Sequence, residues 1–320
     1  LEVYRFLRDE CGARFLQFIP IIERVAEVDE GGTVPWSSWR DRPLYVQEGD
    51  RITGRSVTGE QYGRFLIDVF EEWVRRDIGE VYVQMFDVAL ANWYGEPPSL
   101  CIHSETCGRA LALEHTGDLY SCDHFVEPEY RLGNIADHTL VEMVAAPRQV
   151  AFGEAKRDTL PRMCRECDVR FACHGGCPKD RFLQTPDGEP GLNVLCDGYL
   201  AFFHHVDAPM RAMCDLLRAG DAPARLREAF EKLNAALPAA VVNADSFAFD
   251  SGRVFVVSAG TLAAGAFKEF DIALGTWGAN LAVTNLPASL GTDGKLAATP
   301  SHAVYASGTA TGGAALTLTN

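Results

Sequence analysis

The hydrophobic pattern at the start of the chain predicts a helix, a buried strand and a long amphipathic helix. Apolar residues at helical spacing in Leu1–Glu10 predict the end of an amphipathic helix, which Gly12 terminates. The almost wholly apolar run Phe15–Ile22 predicts a strand buried on both faces, as in a parallel sheet. In Glu60–Asp77 apolar residues recur at i, i+3 and i+4, which predicts a helix with one buried face. A helix followed by a buried strand is typical of an α/β domain, and we expect its earlier units to precede Leu1.

The middle of the chain has the pattern of a β-hairpin. Arg109–Leu113 and Leu119–Cys122 read as short strands, and Thr116-Gly117-Asp118 between them suits a tight turn. This pairing is expected to deliver Cys122 and the next residue, Asp123, at the far end of the second strand. Alternation along the strand predicts that the adjacent His124 points to the opposite face and has a structural role.

Further elements are predicted on both sides of the hairpin. Val81–Phe86 has the pattern of a strand. Thr139 is a helix N-cap with Glu142 at the capping-box spacing, and Pro147 suits the first position of the next helix. Apolar residues on one side of Tyr199–Leu217 predict a long helix.

The composition of the chain shifts around Asn234. Beyond it Ala, Gly, Thr and Val dominate, and there is no cysteine. Short β-branched runs between turn residues predict strands at Val254–Val257, Leu281–Thr284 and Leu316–Leu318. We interpret this region as a small all-β module or a β-rich tail.

Net charge and hydropathy exclude several classes of protein. The chain has 44 acidic and 29 basic residues, a formal charge of −15, which argues against a nucleic-acid partner. It contains neither an apolar run of about 20 residues nor a signal peptide, so we predict no membrane association. Its ten cysteines are clustered, which favours metal binding in a reducing cytoplasm over disulfides.

The densest cysteine cluster lies between Cys164 and Pro178. Four cysteines there have the spacing C-x2-C-x5-C-x3-C, and proline follows the last one. Thiolates that converge on a metal centre have such spacing. Four more can be grouped with them, namely Cys101, Cys107, Cys122 and Cys196. We interpret these eight cysteines as ligands of two iron–sulfur clusters.

Zinc is the alternative to iron–sulfur clusters. A zinc ribbon separates its two cysteine pairs by about 15–20 residues, whereas five residues separate Cys167 from Cys173. Another four-thiolate zinc site remains open. The ending C-x3-C-P matches a two-cluster ferredoxin run whose last cysteine binds the other cluster. Cys177 is therefore expected to point away from its neighbours, beyond the Gly175-Gly176 turn. Cys11 and Cys214 are left over.

Stretches before, between and around the cysteines match the pattern of a known family. They are Gln17–Arg24, Cys101-x5-Cys107-x14-Cys122, Leu119–Val126, Cys164-x2-Cys167-x5-Cys173-x3-Cys177 with Pro178–Phe182, and Cys196. On these stretches the chain from Leu1 to about Leu233 resembles the C-terminal part of anaerobic sulfatase-maturating enzymes, which are radical S-adenosylmethionine enzymes with a SPASM domain.

The resemblance implies a fold and a division into domains. The fold is α/β: the C-terminal remnant of a radical SAM partial TIM barrel, an α+β SPASM iron–sulfur domain, and a small β-rich C-terminal module. Residues 1–80 would end the barrel and include a connecting helix. Residues 81–233 would form the SPASM domain with two auxiliary [4Fe–4S] clusters, and 234–320 the β-rich module.

The resemblance also implies an activity and a set of site residues. Enzymes of this family oxidise a cysteine or serine of a sulfatase to Cα-formylglycine. Asp123 matches the proposed general base, which takes a proton from the substrate thiol or hydroxyl. The matching ligands of the first auxiliary cluster are Cys101, Cys107, Cys122 and Cys177. Those of the second are Cys164, Cys167, Cys173 and Cys196.

One departure from the family pattern limits this expectation. The radical-generating C-x3-C-x2-C motif is absent, so S-adenosylmethionine and a third [4Fe–4S] cluster are expected in a preceding segment, and the fragment alone is expected to be inactive. The expected partners are a sulfatase with a Cys/Ser-x-Pro-x-Arg motif and an electron donor such as ferredoxin or flavodoxin. Alternatives are another SPASM peptide-modifying enzyme or a non-catalytic zinc-binding module.

Overall fold

The computed structural model describes residues 1–25 and 49–228, together with eight strands between residues 247 and 319. The described secondary structure is mixed α/β. The helices are α1 Glu2–Arg5, α2 Gly59–Arg76, α3 Gln84–Tyr94, α4 Leu140–Val144, α5 Pro147–Asp158, α6 Arg162–Arg165, α7 Arg170–Cys173 and α8 Cys196–Arg218. A π-helical turn spans Phe6–Glu10, and 3-10 turns span Cys101–His103, Pro128–Tyr130 and Pro178–Asp180.

The strands are short before residue 229 and longer after it. The first nine are β1 Phe15–Leu16, β2 Arg24–Val25, β3 Arg51–Ile52, β4 Tyr82–Val83, β5 Ala112–Leu113, β6 Asp118–Tyr120, β7 Arg131–Asn134, β8 Leu183–Gln184 and β9 Pro190–Leu192. The others are β10 Phe247–Asp250, β11 Arg253–Val257, β12 Phe267–Asp271, β13 Thr276–Asn280, β14 Ala282–Thr284, β15 Lys295–Thr299, β16 His302–Ala306 and β17 Ala314–Thr319.

The chain divides into two compact units. The terminal unit comprises Leu1–Leu16, Asp68–Val83 and His205–Asn320, and the central unit comprises Gln17–Ile67 and Gln84–His204. All eight predicted cysteine ligands lie in the central unit. The division into 1–80, 81–233 and 234–320 stays a prediction.

The terminal unit confirms the first predicted helix and corrects the strand after it. The helical turns end before Gly12, which has φ +66°. Strand β1 pairs in parallel with β4, as expected for an α/β sheet. It ends at Leu16, however, and Phe15 is 80% exposed and stacks on Tyr82. The prediction of a doubly buried strand over Phe15–Ile22 was wrong, because only two residues of this run pair with a described neighbour.

The long amphipathic helix is confirmed as α2. Its buried side chains recur at the predicted spacing, and they are Tyr62, Leu66, Val69, Phe70, Trp73 and Val74. The predicted strand Val81–Phe86 is shorter than expected, because α3 begins at Gln84. Met85, Phe86, Val88 and Ala89 are buried together on this helix. Their burial at helical spacing explains why the apolar run is helical after Val83.

The central unit contains the predicted hairpin. Strands β5 and β6 are antiparallel, and β7 adds a third strand beside β6. The helix after this sheet has the predicted capping box. Glu142 N donates to Thr139 Oγ1 over 3.3 Å, and Thr139 N donates to Glu142 Oε2 over 2.9 Å. The sheet and the capped helix thus lie directly before α5, which borders the cysteines.

The described residues of the C-terminal region form β-strands, as the sequence pattern predicted. Its described strands form two antiparallel sheets, in the orders β10-β11-β12-β13 and β14-β17-β16-β15. Each of the three predicted strands overlaps one of them, namely β11, β14 and β17. Among the described residues, no helix combines the length and apolarity needed to cross a bilayer.

Candidate iron–sulfur sites

The structure gathers the eight predicted ligands into two groups of four. The thiols of the first group lie near enough to influence one another electrostatically, and they are Cys101, Cys107, Cys122 and Cys177. The second group, which is Cys164, Cys167, Cys173 and Cys196, lines a single cavity. The resemblance implied the same two sets as ligands of two clusters, and that assignment stays a prediction. Cys11 is exposed and Cys214 is buried, and neither belongs to a group.

The second group lies in a small and largely apolar cavity of about 40 Å³. Met163, Val169 and Leu200 contribute apolar side chains to its lining. The short helices α6 and α7 supply Cys164 and Cys173, Cys167 lies between these helices, and Cys196 begins α8. Burial, followed by the neighbouring thiols, raises the pKa of Cys196 to about 12. Burial thus favours the protonated form of the Cys196 thiol.

A close helix crossing fixes the start of α8. A Cβ atom on Gly198 would lie 2.0 Å from Gly59 O, and one on Gly63 would lie 2.5 Å from Gly198 Cα. Any side chain there would collide with backbone, so only glycine allows α2 and α8 to approach this closely. The crossing sets the position of Cys196, two residues before Gly198.

A left-handed turn separates the last two cysteines of the dense run. His174, Gly175 and Gly176 all have positive φ, at 47°, 73° and 65°. The turn places Cys173 in the second group and Cys177 in the first. The expectation that Cys177 points away from its neighbours beyond this turn agrees with that placement.

Arg181 binds the carbonyls of this turn. Its Nε donates to Gly175 O over 2.9 Å, and its Nη2 donates to His174 O over 2.6 Å and Gly176 O over 3.2 Å. Nη1 donates to Lys156 O over 2.6 Å. The half-buried guanidinium thus has four carbonyl acceptors, and among the described residues no carboxylate pairs with it. It also interacts with thiols of both groups.

Helix α5 positions the first group. Cys107 N donates to Gly153 O over 3.1 Å, and a Cβ atom on Gly153 would lie 2.5 Å from Cys107 O. Gln149 Nε2 donates to Gly108 O and Ser121 O over 2.8 and 3.1 Å. One helix therefore fixes the backbone around two of the thiols, Cys107 and Cys122.

Lys156 on the same helix is a buried cation that the sequence did not single out. Its side chain is 1% exposed, and its Nζ donates to Cys101 O over 2.6 Å and Ile102 O over 3.0 Å. Ser104 O is the third acceptor. No carboxylate lies within ion-pair distance of it in the described part of the chain. Lysine is common in the last turn of a helix, so the sequence carried no signal for Lys156. Only its contacts in the folded structure single it out.

Asp123 and His124 lie beside the first group. The Cys122 thiol donates to Asp123 Oδ1 over 3.1 Å, and His124 Nδ1 is 3.5 Å from Cys177 Sγ. Strand alternation predicted that His124 points away from Asp123 and is structural, which was wrong about its direction. Strand β6 ends at Tyr120, so these residues form a turn in which neighbouring side chains converge.

A polar cleft of about 540 Å³ opens beside the first group. Cys101 and Cys107 line it, together with charged and polar side chains that include Glu105, Arg109 and His174. Sequence reasoning did not predict this cleft. It gives solvent a route to the first group that differs in size and polarity from the cavity of the second.

Comparison with known families identifies the region that contains these groups. Residues 101–168 match the SPASM family, which is an iron–sulfur cluster-binding domain. This region of the chain therefore belongs to the SPASM class of iron–sulfur cluster-binding domains.

Comparison with individual proteins narrows the class. The chain is 45% identical to the serine-type anaerobic sulfatase-maturating enzyme of Bacteroides thetaiotaomicron, over 72% of this chain and 54% of that one. It is 26% identical to the cysteine-type enzyme of Clostridium perfringens, over 64% and 49%. Native anSMEcpe, solved with bound AdoMet and the Cp18Cys peptide, superposes with a TM-score of 0.53 at 26% identity, covering 67% of this chain and 54% of that one.

The protein is a homologue of the anaerobic sulfatase-maturating enzymes and contains their SPASM domain. The chain spans about half the length of the curated relatives it matches.

Proposed function

We propose that the protein is the auxiliary-cluster part of a radical SAM enzyme that oxidises a sulfatase side chain to Cα-formylglycine. The two groups of four thiols carry this proposal, together with the homology over 231 residues. The chain spans about half of its relatives, so the full activity is proposed for the whole protein.

In this proposal each cysteine group holds one [4Fe–4S] cluster. Four thiols per group match the four thiolates that such a cluster takes. The surroundings also suit an anionic ligand, because Lys156 and Arg181 bring positive charge to the thiols without a described carboxylate partner. When bound, the clusters supply one-electron acceptors.

Asp123 is proposed to accept the proton of the substrate hydroxyl or thiol. Converting a serine side chain to an aldehyde removes a hydrogen atom from Cβ, a proton from oxygen and one electron. Asp123 is exposed and lies in the turn after Cys122, so a substrate can approach its carboxylate. Its place beside the first group puts the proton acceptor next to the proposed electron acceptor.

We further propose serine as the oxidised residue. Identity is 45% and 34% to serine-type enzymes, against 26% to a cysteine-type enzyme. The test is to measure how fast the full-length protein converts two peptides of otherwise identical sequence, one with serine and one with cysteine at the oxidised position. Faster conversion of the cysteine peptide would contradict this part of the proposal.

Metal analysis tests the cluster content. After anaerobic purification and reconstitution, the chain is expected to bind about eight iron and eight sulfide per molecule, as two cubane clusters require. Cys214→Ser is the control, because this buried thiol lies outside both groups and should leave the iron content unchanged. Stoichiometric zinc without iron would overturn the proposal in favour of a zinc-binding module.

A matched pair of variants tests Asp123. Asp123 and Asp168 each follow a cysteine, Cys122 of the first group and Cys167 of the second. Asp123→Asn in the full-length enzyme is expected to suppress formylglycine while cleavage of S-adenosylmethionine persists. Asp168→Asn should retain formylglycine formation, since His204 pairs with Asp168 away from the first group. Equal product from both variants would remove Asp123 from the mechanism.

A further inference from the structure

Two cations lie within the cysteine region without carboxylate partners, Lys156 and Arg181. Burying a charge is costly unless an opposite charge or several hydrogen bonds compensate it. Both residues interact with carbonyl oxygens, and in the described ranges 1–25 and 49–228 no aspartate or glutamate pairs with either. Carbonyl dipoles satisfy their hydrogen bonds but leave their net charge uncompensated.

The hydrogen-bond partners of Lys156 suit a charged ammonium, although burial lowers the pKa of its amine to about 8. Three carbonyls, those of Cys101, Ile102 and Ser104, accept hydrogen bonds from its Nζ. An ammonium group has three N–H donors and no acceptor, whereas a neutral amine would turn a lone pair toward one of these oxygens. The cage therefore holds one positive charge at a fixed place beside the first group.

The two cations differ in the thiols with which they interact electrostatically. Lys156 donates to the backbone carbonyl of Cys101, and its charge acts on the thiols of Cys107, Cys101 and Cys177, which all belong to the first group. Arg181 interacts with thiols of both groups, because it lies on the turn that joins Cys173 to Cys177. Charge near a cluster and hydrogen bonding around its ligands are recognised determinants of its reduction potential.

We propose that Lys156 and Arg181 are positioning residues that set the reduction potentials of the two clusters, Lys156 acting on the first and Arg181 on both. A fixed positive charge favours the reduced, more negative cluster over the oxidised one. Lys156 thereby raises the potential of the first cluster relative to the second. This inference rests on the proposed function, since it requires clusters in both cysteine groups.

Redox titration of the reconstituted chain, followed by electron paramagnetic resonance, tests this proposal. Lys156→Gln removes the charge and keeps an amide donor for the carbonyls. In this variant the equilibrium constant for one-electron reduction of the first cluster is expected to fall at least tenfold, which lowers the reduction potential by about 59 mV. The second cluster should shift less. Arg157→Gln is the matched control, because it removes the same charge from the same helix. Arg157 is exposed and pairs with Asp158.

Cysteine variants assign each electron paramagnetic resonance signal to one cluster before the reduction potentials are compared. Cys107→Ser should remove the signal of the first cluster, and Cys196→Ser that of the second. Arg181→Gln is then expected to lower both potentials. An unchanged first-cluster potential in Lys156→Gln with full iron content would overturn the inference. So would a shift of equal size in Arg157→Gln.

If Lys156→Gln loses iron, the variant Lys156→Arg, which retains the charge, shows whether the lost charge is the cause. Parental iron content and potential in Lys156→Arg would support a role of the charge, whereas a loss of iron in both variants would overturn it. A parental chain that binds no iron would overturn the proposed function itself. The two failures are therefore distinguished by the iron content of the unmutated protein.

Discussion

The first cysteine group is collected from four separate places in the central unit, whereas three thiols of the second come from a single run of ten residues, Cys164 to Cys173. The surroundings differ as well. A polar cleft of about 540 Å³ borders the first group, and a largely apolar cavity of about 40 Å³ contains the second. Asp123, the proposed proton acceptor, lies beside the first group, whereas Asp168 beside the second group pairs with His204. Within the proposed function we infer a division of labour, with substrate chemistry at the first group and electron storage at the second.

Removing one thiol from each group gives the largest expected difference. Cys107→Ser and Cys196→Ser should each lower the iron content from about eight to about four per chain, if every group holds one cubane cluster. Iron analysis and absorption spectra of the two variants check this. Loss of all iron from either variant would show that the groups do not bind clusters independently, and would break the comparison.

A chelator is expected to remove iron from the first cluster before the second. A hydrophilic chelator can reach Cys101 and Cys107 through the polar cleft, whereas the second group lines a much smaller and largely apolar cavity. We expect the first cluster to lose iron faster, so that iron loss has two phases. Electron paramagnetic resonance during the reaction identifies which cluster remains. Faster loss from the second group would contradict the assignment of the cleft as the main route of access.

Substitution of one helical glycine beside each cysteine group is expected to distort that group without the other. In Gly153→Ala the new methyl group collides with Cys107 O, and in Gly198→Ala it collides with Gly59 O. Overpacking of this kind costs about 1–3 kcal/mol of unfolding free energy, more than alanine gains as a helix former. Gly153→Ala should weaken iron binding in the first group, and Gly198→Ala in the second.

Denaturant unfolding and the cluster signals measure both effects. Gly54→Ala is the control, since no atom lies within 4 Å of its new Cβ and it should change neither. Identical losses from both clusters in Gly153→Ala and Gly198→Ala would show that global stability, rather than local geometry, controls the sites.

The smallest expected effect concerns the helix cap beside the three-stranded sheet. Thr139→Ala removes the capping box of α4 and should lower the unfolding free energy by about 1 kcal/mol. The first group should be affected slightly and the second not at all, because α4 follows the sheet that leads to Cys122. Thr159→Ala serves as a control, since Thr159 Oγ1 donates to a carbonyl at a helix end and caps no N-terminus. An equal loss in both variants would exclude a specific capping effect.

Local patterns were sufficient for several elements. The hairpin, the capping box and α2 follow from turn residues, cap spacing and helical periodicity, all of which depend on neighbours within a few positions. The run Phe15–Ile22 was misjudged because burial depends on strands elsewhere in the chain, and Phe15 has one described strand neighbour. The direction of His124 was misjudged because β6 ends two residues before Cys122.

The sequence by itself determined which thiols are available and how they are spaced, and the glycines before Cys177 indicated that this residue turns away from Cys173. The tertiary structure alone decided what surrounds them. Lys156 becomes a caged cation because carbonyls 52 to 55 residues away meet its ammonium. Gly198 becomes indispensable because α2 crosses it at backbone contact. Such contacts join distant parts of the chain, and their energies depend on distances that no local pattern encodes.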